Sequence, residues 1–88
     1  MNPVIYKLKE PIELDGEKIE RLELQHPRGK HIKNIDTNNL TIGVIMVLAA
    51  KISGHRPKLF DEMIAADVMA IAGIVGDFLG DGQETGLS

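Results

Sequence analysis

The chain contains no cysteine and no tryptophan, and only one tyrosine and two phenylalanines. Without thiols there is no disulfide framework, no zinc–thiolate site and no cysteine nucleophile, a composition that fits a reducing compartment. With so few rings there is little surface on which bases can stack. Positive charge is scarce in the second half. Met1 to Ile35 carries seven Lys/Arg against six Asp/Glu, whereas Asp36 to Ser88 carries three against seven. Phosphate binding needs a concentrated basic face, so nucleic acid is not expected as the partner of that half. The opening residues MNPVIYKLKE lack the apolar region of a signal peptide, and a cytoplasmic protein is expected.

What the chain does have is one almost wholly apolar stretch, Leu40 to Ile52, reading LTIGVIMVLAAKI. As a helix it is about 20 Å long, well short of the roughly 30 Å a membrane demands, so it is expected to be a core helix with no membrane role. Asp36, Thr37, Asn38 and Asn39 precede it as candidate caps, and Gly54 follows as a left-handed stop. We expect Ile42, Ile45, Met46, Ala49 and Ile52 to form its inner stripe. Val44, Val47 and Leu48 then lie on other faces and need a second helix, the sheet or another chain to cover them.

Eighty-eight residues make one domain of modest stability. Val4, Tyr6 and Leu8 alternate with Ile5, Lys7 and Lys9, the period of a half-buried strand. Pro11 is expected to end that strand or place it on an edge, and Asp15-Gly16 signals a turn. The return strand holds Ile19, Leu22 and Leu24, and its three-residue step predicts a bulge near Glu20-Arg21. From His26 to Asn39 the composition is that of a mobile loop. Its basic cluster, Arg28, Lys30 and Lys33, reads as a solvated connection ahead of an anion site, because no glycine-rich cradle accompanies it.

Pro57 suits the first turn of a short helix containing Leu59, Phe60, Met63 and Ile64. Asp67 either caps a last helix or lies within a continuous one. That helix, about Asp67 to Leu79, offers a bulky face of Val68, Ile71, Ile74 or Val75, and Phe78. Ala66, Met69, Ala70, Ala72, Gly73 and Gly76 make a second face of mostly small residues. Two interior glycines suggest a close backbone approach, first against Gly43 and Ala50 within the chain, or else at a subunit or partner interface. Residues 80–88, GDGQETGLS, read as a flexible polar tail.

No catalytic constellation is visible. His26, His31 and His55 have no ligand partners at metal-binding spacing, Ser53 and Ser88 sit in no nucleophile elbow, and Asp61, Glu62 and Asp67 do not pair as acid and base. No enzyme, cofactor or metal is expected. The fold class expected is α+β, a single domain over residues 1–79. An N-terminal β-hairpin or small antiparallel sheet at about 4–25 precedes a bundle of about three helices at about 38–79.

The order of signals resembles a known family. Leu8-Lys9-Glu10-Pro11-Ile12-Glu13-Leu14-Asp15-Gly16, then Ile19, then Leu22-Glu23-Leu24-Gln25-His26-Pro27-Arg28-Gly29, is similar to the opening of the phage tail assembly chaperones of Mu-like and related tailed phages. The apolar helix ending in Lys51-Ile52-Ser53-Gly54, the short helix after Pro57, Asp67 and the closing Phe78-Leu79 extend the likeness to about Leu79. The resemblance implies a non-enzymatic protein that binds the tape measure protein, keeps it soluble and helps the tail tube form around it. On that resemblance it is expected to act in the host cytoplasm and to be absent from the mature virion. Further partners it implies are a longer, frameshifted form of the chain and the tail tube protein.

Such a chaperone needs apolar surface for its client. The surplus helical faces place client contact or homo-oligomerisation on Val44, Val47, Leu48, Met69, Ala72, Gly73 and Gly76. Two other classes compete. One is a DNA-binding regulator with a helix-turn-helix over the Phe60 and Val68 segments, disfavoured because Lys58 is its one clear phosphate contact. The other is a structural tail component that stays in the virion.

Overall fold

In the computed structural model, which describes residues 2–80, two strands precede four helices. Strands β1 (Val4–Leu14) and β2 (Glu17–Leu24) form an antiparallel hairpin. Helices α1 (Gly29–Ile32), α2 (Ile42–Ser53), α3 (Pro57–Asp61) and α4 (Ala65–Gly80) follow. The fold is α+β as expected, with four helices in place of about three. The additional helix, α1, falls inside the stretch expected to be a loop. The tail expected beyond Gly80 lies outside the described residues.

Asp15 and Gly16 make the hairpin turn, with φ values of 54° and 82°. Two successive left-handed residues match the twist of the flanking strands. The ladder is interrupted between Lys7 and Ile12. Lys7 lies opposite Arg21 and Ile12 opposite Ile19, so five steps along β1 answer two along β2. The irregularity sits opposite Glu20, where the sequence placed it, but the additional residues belong to β1. Of the two expectations for Pro11, the edge placement holds, since β1 is an edge of a two-stranded sheet and does not end at the proline. β1 runs on through this proline because it falls in the unpaired bulge, where its missing amide costs no ladder bond.

Thr41, and none of the four polar residues from Asp36 to Asn39, caps α2: its Oγ1 accepts from the Val44 amide at 3.2 Å. Asp36 instead closes a local turn, accepting from the Asn38 amide at 3.0 Å. Gly54 ends the helix at φ 75° as expected. α3 and α4 are separate helices, and Asp67 lies in the first turn of α4, not at its cap.

The core joins Leu8, Ile12, Ile19, Leu22 and Leu24 of the hairpin to Leu48, Ala49, Ala50 and Ile52 of α2. Leu59, Phe60 and Met63 from the α3 region and Ile71 and Val75 of α4 complete it. Ile32 and Ile35 pack against its margin, which is why the basic segment around α1 follows the surface of the domain. The amide of Gln25 donates to the Ile52 carbonyl at 3.2 Å, fastening the end of β2 to the end of α2. An ion pair between Arg56 and Asp15 links the hairpin turn to the connection between α2 and α3.

Candidate partner interface

The expected partner residues do not form one surface. Val44 and Val47 line an open groove of about 500 Å³ together with Asn34, Ile35, Asp36, Thr41, Gly43 and Lys51. Val47 is 42% exposed. Leu48, by contrast, is fully buried, so its place among the contact residues is corrected: it is a core residue of α2. The inner stripe is corrected with it, because Ile42 is 42% exposed while Leu48 and Ala50 take the inward positions. α2 begins two residues later than the apolar run does, and its first turn projects past the core.

On α4 the outward stripe runs Ala66, Met69, Gly73, Gly76, and Met69 is 58% exposed. Ala70 and Ala72 are half-buried at its flank. An added Cβ at Gly73 or Gly76 meets nothing within 4 Å. The close approach expected against Gly43 and Ala50 is therefore absent. These glycines face open space, and Gly43 would meet only the Thr41 side chain. The stripe carries no charge before Asp77, and α4 has no Lys or Arg at all, which leaves a DNA-reading helix without phosphate contacts.

Sequence reasoning turned Ile42 inward because it shares the side of Ala49; only its place in the first turn of α2 exposes it. Lys51 lies on the same helical face as Val44 and Val47, and a lone charge marks the side that meets water.

The polar residues have structural partners. Asp67 is fully buried and accepts three hydrogen bonds, from the Tyr6 hydroxyl at 2.7 Å, the Lys9 amide at 3.0 Å and the Glu10 amide at 3.2 Å. Both amides belong to the bulge, where the ladder offers them no partner. Burial pushes the Asp67 carboxyl up, but the Lys9 amide, the Tyr6 hydroxyl and the Glu10 amide together hold it below the ordinary carboxylate value. The Tyr6 hydroxyl is raised, first by its bond to Asp67 and then by burial and the adjacent negative charge. His26 packs on Phe78 with ring centroids 4.3 Å apart and the rings tilted by 41°, and His31 Nδ1 accepts from the Arg28 amide at 2.9 Å. Among the described residues no three His, Cys, Asp or Glu side chains converge as a metal site. Of the basic cluster, Arg28 lines a cleft shared with Pro3, Glu23, Gln25, His26 and Pro27.

The family described as phage tail assembly chaperone proteins, E, or 41 or 14, matches residues 5–80. The chain belongs to this phage tail assembly chaperone family. The match spans both the hairpin and the helices. No curated protein and no solved structure matches the chain. No helix among the described residues is long and apolar enough to cross a membrane.

Proposed function

We propose that this chaperone binds the tape measure protein and keeps it soluble while the tail tube assembles around it, without enzymatic chemistry. The observation that carries the reading is the surplus of exposed apolar and small side chains on two helices in a member of this family. Val44 and Val47 open onto the groove of α2, while Met69, Gly73 and Gly76 form the bare stripe of α4. A long helical client is recognised by apolar anchors that enter such grooves, and small residues let its backbone approach closely. Ala72 borders this surface, and Leu48 supports it from within. The host cytoplasm is the place of action, and the protein leaves before the virion is complete. A longer frameshifted form and the tail tube protein are further partners in this scheme.

The test is co-expression of the full chain with the tape measure protein of the same phage. The reading predicts that the client moves into the soluble fraction and co-elutes with the chaperone. A client that remains insoluble and unbound beside a folded chaperone, with or without a longer form supplied, contradicts it.

A further inference from the structure

The outer edge of β2 is bare. The sheet has only two strands, and among the described residues the backbone of Glu17–Leu24 finds its partners in β1 alone. An open groove of about 360 Å³ follows that strand, lined by Glu17, Lys18, Ile19, Glu20 and Arg21 together with His55. An unpaired edge is a template for another strand, and natural proteins usually cover or distort it.

The residues of β2 specify which strand fits. Its burial is symmetric about the Glu20-Arg21 bond: both of these are exposed, Ile19 and Leu22 on either side are buried, and Lys18 and Glu23 beyond them are exposed again. Its charges are complementary about the same centre. A second β2 laid antiparallel, with a two-fold axis between Glu20 and Arg21, sets Glu20 against Arg21, Lys18 against Glu23 and Ile19 against Leu22, each pair twice. Residues opposed in such a join must lie on the same face of the sheet. In a regular strand, neighbours in sequence never do. The break in alternation between Ile19 and Leu22 is what allows this register. A slip of one residue sets Glu20 against Glu20 or Arg21 against Arg21, so the register is selected by charge.

We infer that two copies of this chain join through their β2 edges into one four-stranded antiparallel sheet. Within its own hairpin Arg21 stands directly opposite Lys7, an unfavourable like-charge pair, and among the described residues it has no ion-pair partner. Glu20 of the second copy supplies that partner. The join uses none of the helical residues assigned to the client and does not depend on the chaperone reading.

The experiment is sedimentation of the full chain over a range of concentrations, with Glu20→Arg and Arg21→Glu as variants. Arg21→Glu removes the repulsion with Lys7, and Glu20→Arg gives up an exposed ion pair with Lys18 at 3.4 Å but faces the unpaired bulge, so neither change disturbs the ladder within the hairpin. The wild type is expected to reach twice the mass of the chain. Each variant alone should dimerise roughly tenfold more weakly, because both copies of the pair become repulsive. An equimolar mixture of the two should recover wild-type affinity as a heterodimer. A chain that stays monomeric at every concentration overturns the inference. So does a dimer indifferent to both reversals, or a mixture no tighter than its components.

Discussion

Tyr6 and Asp67, separated by 61 positions in the chain, meet at 2.7 Å, and the carboxylate that Tyr6 contacts also collects the two bulge amides of Lys9 and Glu10. One buried side chain thus ties α4 to β1 and satisfies the backbone that the bulge exposes. Removing it strands three donors. Asp67→Ala is expected to destabilise the protein by about 3 kcal/mol, and Tyr6→Phe, which leaves both amide bonds intact, by about 1–2 kcal/mol. Urea denaturation of both variants and the double variant measures this, and the double should cost less than the sum of the singles.

The same contact sets a pH dependence. Asp67 has its folded value lowered, so the unfolded chain binds the proton more readily, and the stability Asp67 contributes is complete above the ordinary carboxylate value of 3.8. It is lost as pH falls through the lower folded value. Tyr6 has its folded value raised, so its contribution is present below the ordinary phenol value of 10.0 and is lost as pH climbs through the folded one. Unfolding free energy measured against pH should fall at both extremes. Asp67→Asn should flatten the acid limb, and Tyr6→Phe the alkaline limb.

Gly73 and Gly76 face open space, so alanine there should strengthen α4. Each replacement is expected to add about 0.5–1 kcal/mol, read as a higher midpoint in thermal unfolding. If these glycines serve the close approach of a client backbone, the more stable variants should hold the tape measure protein less well. Gly54, at φ 75°, should respond oppositely, with Gly54→Ala lowering the midpoint.

The hairpin was legible because Asp15-Gly16 and the alternation from Val4 to Leu8 are local signals. The position of the bulge was legible too, through the step from Ile19 to Leu22. Which strand carries the additional residues depends on the pairing, and no local pattern encodes that. α2 misled for a different reason. A helix apolar on nearly every face has no strong period to orient it, and Lys51, which marks the side of Val44 and Val47, also lies one turn from buried Leu48 and so could not separate them. Asp67 shares the helical stripe of Ile71 and Val75, a hint that it points inward, but its partners lie at the other end of the chain. The small-residue stripe of α4 was read correctly as a face. Its exposure could not be read, because a glycine that packs closely and one that faces water look the same in sequence.

The division of α2 into a covered and an open side gives a sharp contrast. Leu48→Ala, at a fully buried position, should cost about 2–5 kcal/mol of stability. Val47→Asp, one residue away and 42% exposed, should change stability by less than about 0.5 kcal/mol. Chemical denaturation separates them, and a large loss from Val47→Asp would show that this face is covered within the chain.

The most direct measurement is the amount of soluble tape measure protein recovered when it is co-expressed with the wild-type chain or with a Val47→Asp, Met69→Asp, Gly76→Gln variant shown by circular dichroism to be folded. The account predicts that the wild type keeps the client soluble and co-elutes with it, while the folded variant does neither. Equal rescue by both would contradict the assignment of the client to the open faces of α2 and α4.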